Sequence, residues 1–248
     1  QMWVHVGSGD ETPEEAGLAH VHEHMIFKGT ERRAVGQIAR DVESLGGSIN
    51  AWTSFDQTVY HIVMPSRYFD DGMDVLLDAI RNSTFDEEEL ARELEVIQEE
   101  ISRGEDMPTR VLSQNLFETA FTEHPYGLPV IGTRESVSSF TRDDVLEFYR
   151  RWYRPSNMTL VVVGDVDREQ VDAAVNDYVD GFSAEPVEPR QRPQEPEQTD
   201  LRTTIEYRDI QDGHLNMAFH VPSLSSEDTP ALELILVLLG QGESAVLF

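Results

Sequence analysis

The apolar positions along this chain fall into two alternating rhythms. "WVHVGS", Trp3 to Ser8, repeats every second residue as a strand does and breaks at Gly7. In "ETPEEAGLAHVHEHMIFKG" the positions Leu18, Val21, Met25 and Ile26 recur at helical spacing. Thr12 and Glu15 stand as a capping box, Pro13 suits a first helical position and Gly29 suits the stop, while Gly17 weakens the first turn and offers a later start. "AVGQIARDVESLGG" predicts a second helix closed by Gly46 and Gly47. "SINAWTS" and "QTVYHIVM", parted by Phe55 and Asp56, predict a β-hairpin.

Helices are then expected at "RYFDDGMDVLLDAIRN", at "DEEELARELEVIQEEISRGED" with acids in its first turn, at "TRVLSQNLFETAF", and at "TRDDVLEFYRRWY", opened by Thr141 with Asp144 three residues on. "MTLVVVGDV" predicts a buried strand and "DREQVDAAVNDYVDGF" the helix after it. The pattern ends at "SAEPVEPRQRPQEPEQTD", Ser183 to Asp200, whose Pro, Glu and Gln cannot build a core and predict a linker. Beyond it, "LRTTIEYRD" and "HLNMAFHVP" predict strands and "TPALELILVLLG" a helix. This divides the chain into a first domain over 1–182, a linker over 183–200 and the beginning of a second domain over 201–248. Hairpins mixed with crossovers make the expected fold class α+β, a mixed sheet with packed helices. The chain starts inside a strand-like run and ends in an apolar one, so it is expected to be a fragment lacking its native N-terminus.

Composition narrows the chemistry. The 248 residues carry a net charge of −28, which repels nucleic acid and anionic membranes and leaves a cationic substrate or an acidic solvated surface. No apolar run reaches about 18 residues, so no membrane span is expected. Compartment stays open. With no cysteine, any metal must be held by histidine and carboxylate. Lys28 is the only lysine.

Three of the eight histidines fall in "HVHEH", His20 to His24. On a helix, residues four apart sit about 40° from each other on one face, so His20 and His24 can share a metal ion. His22 lies on nearly the opposite side, where it packs or meets solvent. Glu23, beside His24, can reach a metal-bound water without being a ligand, in the order H-x-x-E-H. A third ligand must come from another element. The "ELARELEVIQEEIS" helix offers Glu93, Ile97 and Glu100 along one stripe, and carboxylates there are costly to bury unless a cation meets them. Helical acids are ordinarily solvated, and Glu95 and Glu99 are read that way, so the pattern leaves Glu100 open between ligand and surface residue.

"GLAHVHEHMIFKGT", "LGGSINAWTSFDQTVY", "ELEVIQEEISRGEDMP" and "HPYGLPVIGTRESV…YRRWYRPSNMTLVVVGDVD" resemble, in that order, the pitrilysin/insulinase family of zinc metallopeptidases, in its bacterial branch similar to the β subunit of the mitochondrial processing peptidase. The resemblance is close from Met2 to about Val166. It implies one Zn²⁺ held by His20, His24 and Glu100, which follows His24 by 76 residues, with Glu23 as general base. Glu93 then matches a second acidic position on the ligand helix, where a carboxylate could hold a histidine ligand or tune the site. The family's peptide substrates add to an edge strand, here matched by "NAWTS", which makes Asn50 and Ala51 the implied substrate contacts, with Trp52 open between lining a substrate pocket and serving as a core or surface aromatic. It also implies, as partner, a second homologous domain in the same chain or a homologous subunit. The family's second domain supplies an Arg and Tyr pair, and "GESAVLF" lacks the arginine expected in a similar turn. A zinc endopeptidase acting on peptides or unfolded polypeptides is the implied function. The second reading is a catalytically inactive member serving as a structural or partner subunit.

Overall fold

A computed structural model of the chain describes residues 1–179, 185–188, 191–242 and 245–247. Parts of three predicted segments, namely Asp180 to Phe182, the linker residues Ser183, Ala184, Pro189 and Arg190, and Glu243, Ser244 and Phe248 at the end, lie outside the described residues.

The predicted hairpin forms from β2 (Ser48–Thr53) and β3 (Thr58–Val63), with Asn50 opposite His61 and Ala51 opposite Tyr60. β1 (Met2–Val4) pairs with β3 on one side and with β4 (Met158–Leu160) on the other, giving the order β2-β3-β1-β4 with every described pairing antiparallel. β2 is therefore an edge. The fold class is α+β, as expected. β4 is shorter than "MTLVVVGDV" predicts: its last hydrogen bond runs from Val161 N to Gln1 O, and Val163 is 92% exposed. A run of valines supplies the propensity for a strand but not the neighbour that completes the ladder.

One face of this sheet is covered by helices. α1 (Leu18–Met25) turns Leu18, Val21 and Met25 onto Met2, Val4 and Tyr60. α2 (Gln37–Ser44) contributes Ile38 and Val42, and α3 (Phe69–Asn82) adds Val75, Leu76, Ala79 and Ile80. α4 (Glu87–Glu105), capped by Asp86, brings Leu90 and Ile97. α5 (Pro108–Ala120) follows after a two-residue connection. α6 (Arg134–Ser139), which the apolar pattern does not predict, and α7 (Arg142–Trp152) come next, and α7 buries Val145, Phe148 and Trp152. α8 (Arg168–Val179) completes this part.

The start of α1 corrects the sequence reading. The Thr12–Glu15 capping box forms, at 3.3 and 3.1 Å, but it closes only a single 3₁₀ turn at Pro13–Glu15. The chain then bends at Gly17, whose φ of 104° favours glycine, and a β-carbon there would stand 2.9 Å from Ile131 O. The first N–H groups of α1 go to a different acid: the buried Glu11 carboxylate accepts from Gly17 N at 2.8 Å and Ala19 N at 2.7 Å.

Contacts divide the chain into a unit over Gln1–His214 and a second over Leu215–Phe248. "LRTTIEYRD" and "HLNMAFHVP" form no strands, because neither finds a ladder partner among the described residues. The linker is fastened to its own unit. Arg192 donates to Asp10 at 3.0 and 2.9 Å, and Glu195 accepts the N–H groups of Thr122, Glu123 and His124 at 2.9–3.0 Å. In the second unit, α9 (Thr229–Gly240) is one helix carrying exposed Leu234, Leu236 and Leu238. Among the described residues no helix is long and apolar enough to cross a membrane.

Candidate metal centre

α1 separates the three neighbouring histidines by face. His22 points into the core and is fully buried, its ring nitrogens 2.7 Å from Leu18 O and 3.0 Å from Val145 O, against Phe85, Phe148 and Tyr153. Burial pushes it down to about 4, so the ring is neutral and structural. His20 and His24 stand on the other side with ring centroids 4.7 Å apart. α4 crosses α1 and brings Glu100 opposite them, its Oε2 3.9 Å from His20 Nε2 and 3.8 Å from His24 Nε2.

These three residues form the described cluster whose ligand atoms all lie within 4.8 Å of one another. Tetrahedral zinc with bonds of about 2.0–2.2 Å sets neighbouring donors about 3.3 Å apart, so the two gaps need close by only about half an ångström. The donor state also fits. Burial, with smaller contributions from His24 and Arg110, pushes His20 down to about 3, which leaves the imidazole neutral and its lone pair free. Two imidazoles and a carboxylate are a set that zinc accepts.

A second layer holds His24. Its Nδ1 donates to Glu93 Oε2 at 3.0 Å, which keeps the proton on Nδ1 and turns the Nε2 lone pair toward Glu100. The other Glu93 oxygen lies 2.5 Å from Lys28 Nζ. Burial would raise the Glu93 carboxyl, but the bonds from His24 and Lys28 and the lysine charge hold it below its ordinary value. His20 has no such support: its buried Nδ1 lacks a partner among the described residues.

Glu23 lies on the same stretch of α1, half-buried, with no hydrogen bond or ion pair to any described residue. Its charge is felt by the buried hydroxyl pair Tyr60 and Tyr153, which are 2.6 Å apart. Asn50, Ala51 and Trp52 are on β2. Ala51 packs on the core face, and its N–H donates to Asn50 Oδ1 at 2.9 Å. Trp52 lies on the opposite sheet face, edge-on to Trp3 at 5.7 Å and 5.3 Å from His61. Glu95 and Glu99 are exposed, as expected. Spacing alone misses Lys28, although the only lysine of an acidic chain, four residues after His24, is a visible signal. It also misses Glu11, for which no signal exists.

An α+β domain that gathers two helical histidines and a distant glutamate within 4.8 Å of one another has the makings of a metal-dependent hydrolase. Comparison with known proteins sets the family. Residues 1–134 match the insulinase model, peptidase family M16, and residues 139–248 match the model described as the M16 inactive domain. The chain belongs to this family. It is 38% identical over 166 residues to a zinc protease of Rickettsia bellii, covering 67% of this chain and 40% of that protein. It is 34% identical over 244 residues to a probable mitochondrial-processing peptidase β subunit of Arabidopsis thaliana, covering 96% and 45%. The crystal structure of a protease from Helicobacter pylori superposes with a TM-score of 0.87 at 28% identity, over 99% of this chain and 60% of that one. The chain spans 40% to 59% of the length of the curated relatives it matches.

Proposed function

We propose that the protein to which this chain belongs is a zinc-dependent endopeptidase that hydrolyses peptides or unfolded polypeptides, with His20, His24 and Glu100 as ligands and Glu23 as general base. The observation that carries the reading is the convergence of two Nε2 atoms and one carboxylate beside a carboxylate that no described residue hydrogen-bonds or pairs with. Zinc is favoured because the relatives are named zinc proteases, although this donor set also accepts manganese or cobalt.

A bound Zn²⁺ would supply Lewis acidity, lowering the pKa of a water and polarising the scissile carbonyl. Glu23 takes the proton of the attacking water as its oxygen bonds to the carbonyl carbon. When the C–N bond breaks, Glu23 returns that proton to the leaving nitrogen. Glu93 keeps His24 in the tautomer that presents Nε2. The free side of β2 is open to an added peptide strand, whose backbone would compete with Asn50 Oδ1 for the Ala51 N–H. Trp52, on the other sheet face, would then shape the edge rather than the metal side. A second homologous domain, in the same chain or another subunit, would close over that peptide.

The test is metal content together with cleavage of an unstructured peptide by the full-length protein, Glu23→Gln and Glu100→Gln. One zinc kept by Glu23→Gln with activity lost, and weakened zinc binding in Glu100→Gln, supports both roles. An intact protein with neither zinc nor cleavage would instead be a partner subunit.

A further inference from the structure

α4 and α5 meet beside the metal cluster at an arginine that no other described residue binds. Gly104 follows Glu100 by four residues, so it lies on the same face of α4, one turn on. Arg110, in the first turn of α5, is laid across that glycine. A β-carbon at 104 would stand 3.1 Å from Arg110 Cδ and Nε and 3.3 Å from Cζ. Its charge reaches the ligands, because it adds to burial and His24 in depressing His20. Yet the exposed guanidinium makes no hydrogen bond, ion pair or ring contact with any described residue.

That is unexpected in a chain with 47 acidic and 19 basic residues. None of the described acids nearby is bonded to it. Glu105 is gripped by Arg134 at 3.0 and 2.5 Å, Glu135 acts on Arg134 through its charge alone, and Glu100 faces the histidines. Arg110 lines a cavity of about 300 Å³ together with Gln114, Thr133 and Arg134 and with the carboxylates of Glu105 and Glu135. A guanidinium with no bonded partner among the described residues, in a small cavity beside the cluster that also holds Arg134, is a site for an anion.

We propose that Arg110 determines specificity by binding a carboxylate of the peptide close to the scissile bond, from an Asp or Glu side chain or from the C-terminus. This deepens the peptidase reading above and rests on it. The planar guanidinium takes a carboxylate through two parallel N–H donors, and the Gln114 amide offers a neutral one. The inference runs against the net charge of −28, which favours cationic peptides at long range. That field is screened over about 8 Å at physiological salt, whereas Arg110 acts by contact.

The test uses labelled, unstructured, otherwise neutral peptides in which one Gln is replaced by Glu at successive positions, each with a free or an amidated C-terminus. kcat/KM is measured for the full-length protein, Arg110→Gln and Arg110→Lys. Equilibrium binding is measured by anisotropy in the Glu23→Gln background, which requires no turnover. We expect an advantage of about tenfold for a carboxylate at one position, expressed in KM and Kd. Arg110→Gln abolishes it and Arg110→Lys restores part. If only the free C-terminus gives the advantage, the carboxylate is the terminal one. Equal Kd for Glu and Gln peptides, or an advantage that survives Arg110→Gln, overturns the inference and leaves the peptidase reading standing. Binding that depends on charge through Arg110, without any cleavage, does the reverse.

Discussion

Replacing Glu93 with glutamine isolates what the second carboxylate of the α4 stripe does. Glu93 is 7% exposed and holds two donors at once, His24 Nδ1 at 3.0 Å and Lys28 Nζ at 2.5 Å. Glutamine has nearly the same shape but only one oxygen. Given to His24, that oxygen turns the amide NH₂ against the Lys28 ammonium; given to Lys28, it leaves the histidine proton without an acceptor. Either way a charge-assisted bond in a buried site is lost, at about 1.5–3 kcal/mol. Loss of a residue orienting a metal ligand weakens binding about 10- to 100-fold, or about 1.4–2.7 kcal/mol, so the two routes agree. The assay is zinc competition against a chelator of known affinity, supported by thermal unfolding with and without zinc. At a free zinc concentration of about 1,000 times the wild-type Kd, binding stabilises the wild type by about 4.1 kcal/mol, and a 30-fold weaker variant by about 2.1. Exposed Glu95, two residues on, supplies the control: Glu95→Gln is expected to bind zinc as the wild type does. Zinc affinity within about twofold of wild type in Glu93→Gln would refute the reasoning, since the Nδ1 bond would then do nothing for the ligand.

Three further outcomes are expected. His22→Ala removes a fully buried ring and is expected to cost about 3–5 kcal/mol in urea unfolding of the metal-free protein, while one zinc per chain is still bound; loss of zinc at unchanged stability would contradict the division of faces on α1. Asp78 accepts from Thr30 at 2.8 Å, Asn82 at 2.8 Å and Arg32 at 3.1 Å, and also from Arg33; burial would raise it, but these partners hold it below its ordinary value. Its folded value lies below its unfolded one, so its stabilisation is complete above about pH 4 and is lost as pH falls through the folded value. Asp78→Asn should cost about 3 kcal/mol at pH 7 and flatten that acid limb in denaturant titrations from pH 5 to 2. Glu195→Ala frees the amides of Thr122, Glu123 and His124, whose hydrogen exchange should accelerate without change at the buried strand β3; equal exchange in both proteins would mean that the linker carboxylate does not protect them.

What could be read from the sequence is what each segment determines for itself. Periodicity placed the hairpin and, apart from α6 and the start of α1, the helices of the first unit to within a few residues, because a helix shows its buried stripe and a strand its alternation. His20 and His24 were legible because four residues of one helix fix their relation before anything packs. Glu100 was not legible in this way: the pattern put it on the right stripe, and only the crossing of α4 over α1 puts its Oε2 within 3.9 Å of both rings. The same limit hid every relation between segments. Glu11 precedes the helix it caps by a loop that no period governs, Lys28 meets Glu93 across two helices, and Arg110 finds Gly104 only because two residues join α4 to α5. It also explains the overprediction beyond residue 200. Alternation in "LRTTIEYRD" states which side chains share a face, but a strand exists only where a second backbone accepts its N–H groups. Where the segment after the linker does bond to the end of α5, it does so through its own side chains: Arg202 donates to the backbone carbonyls Thr119 O and Ala120 O at 3.3 and 2.9 Å, and Thr204 Oγ1 lies 2.8 Å from Thr119 Oγ1. A segment patterned as a strand is thus tethered to the end of α5 by its polar residues, while Leu201, Ile205 and Tyr207 stay 75% or more exposed.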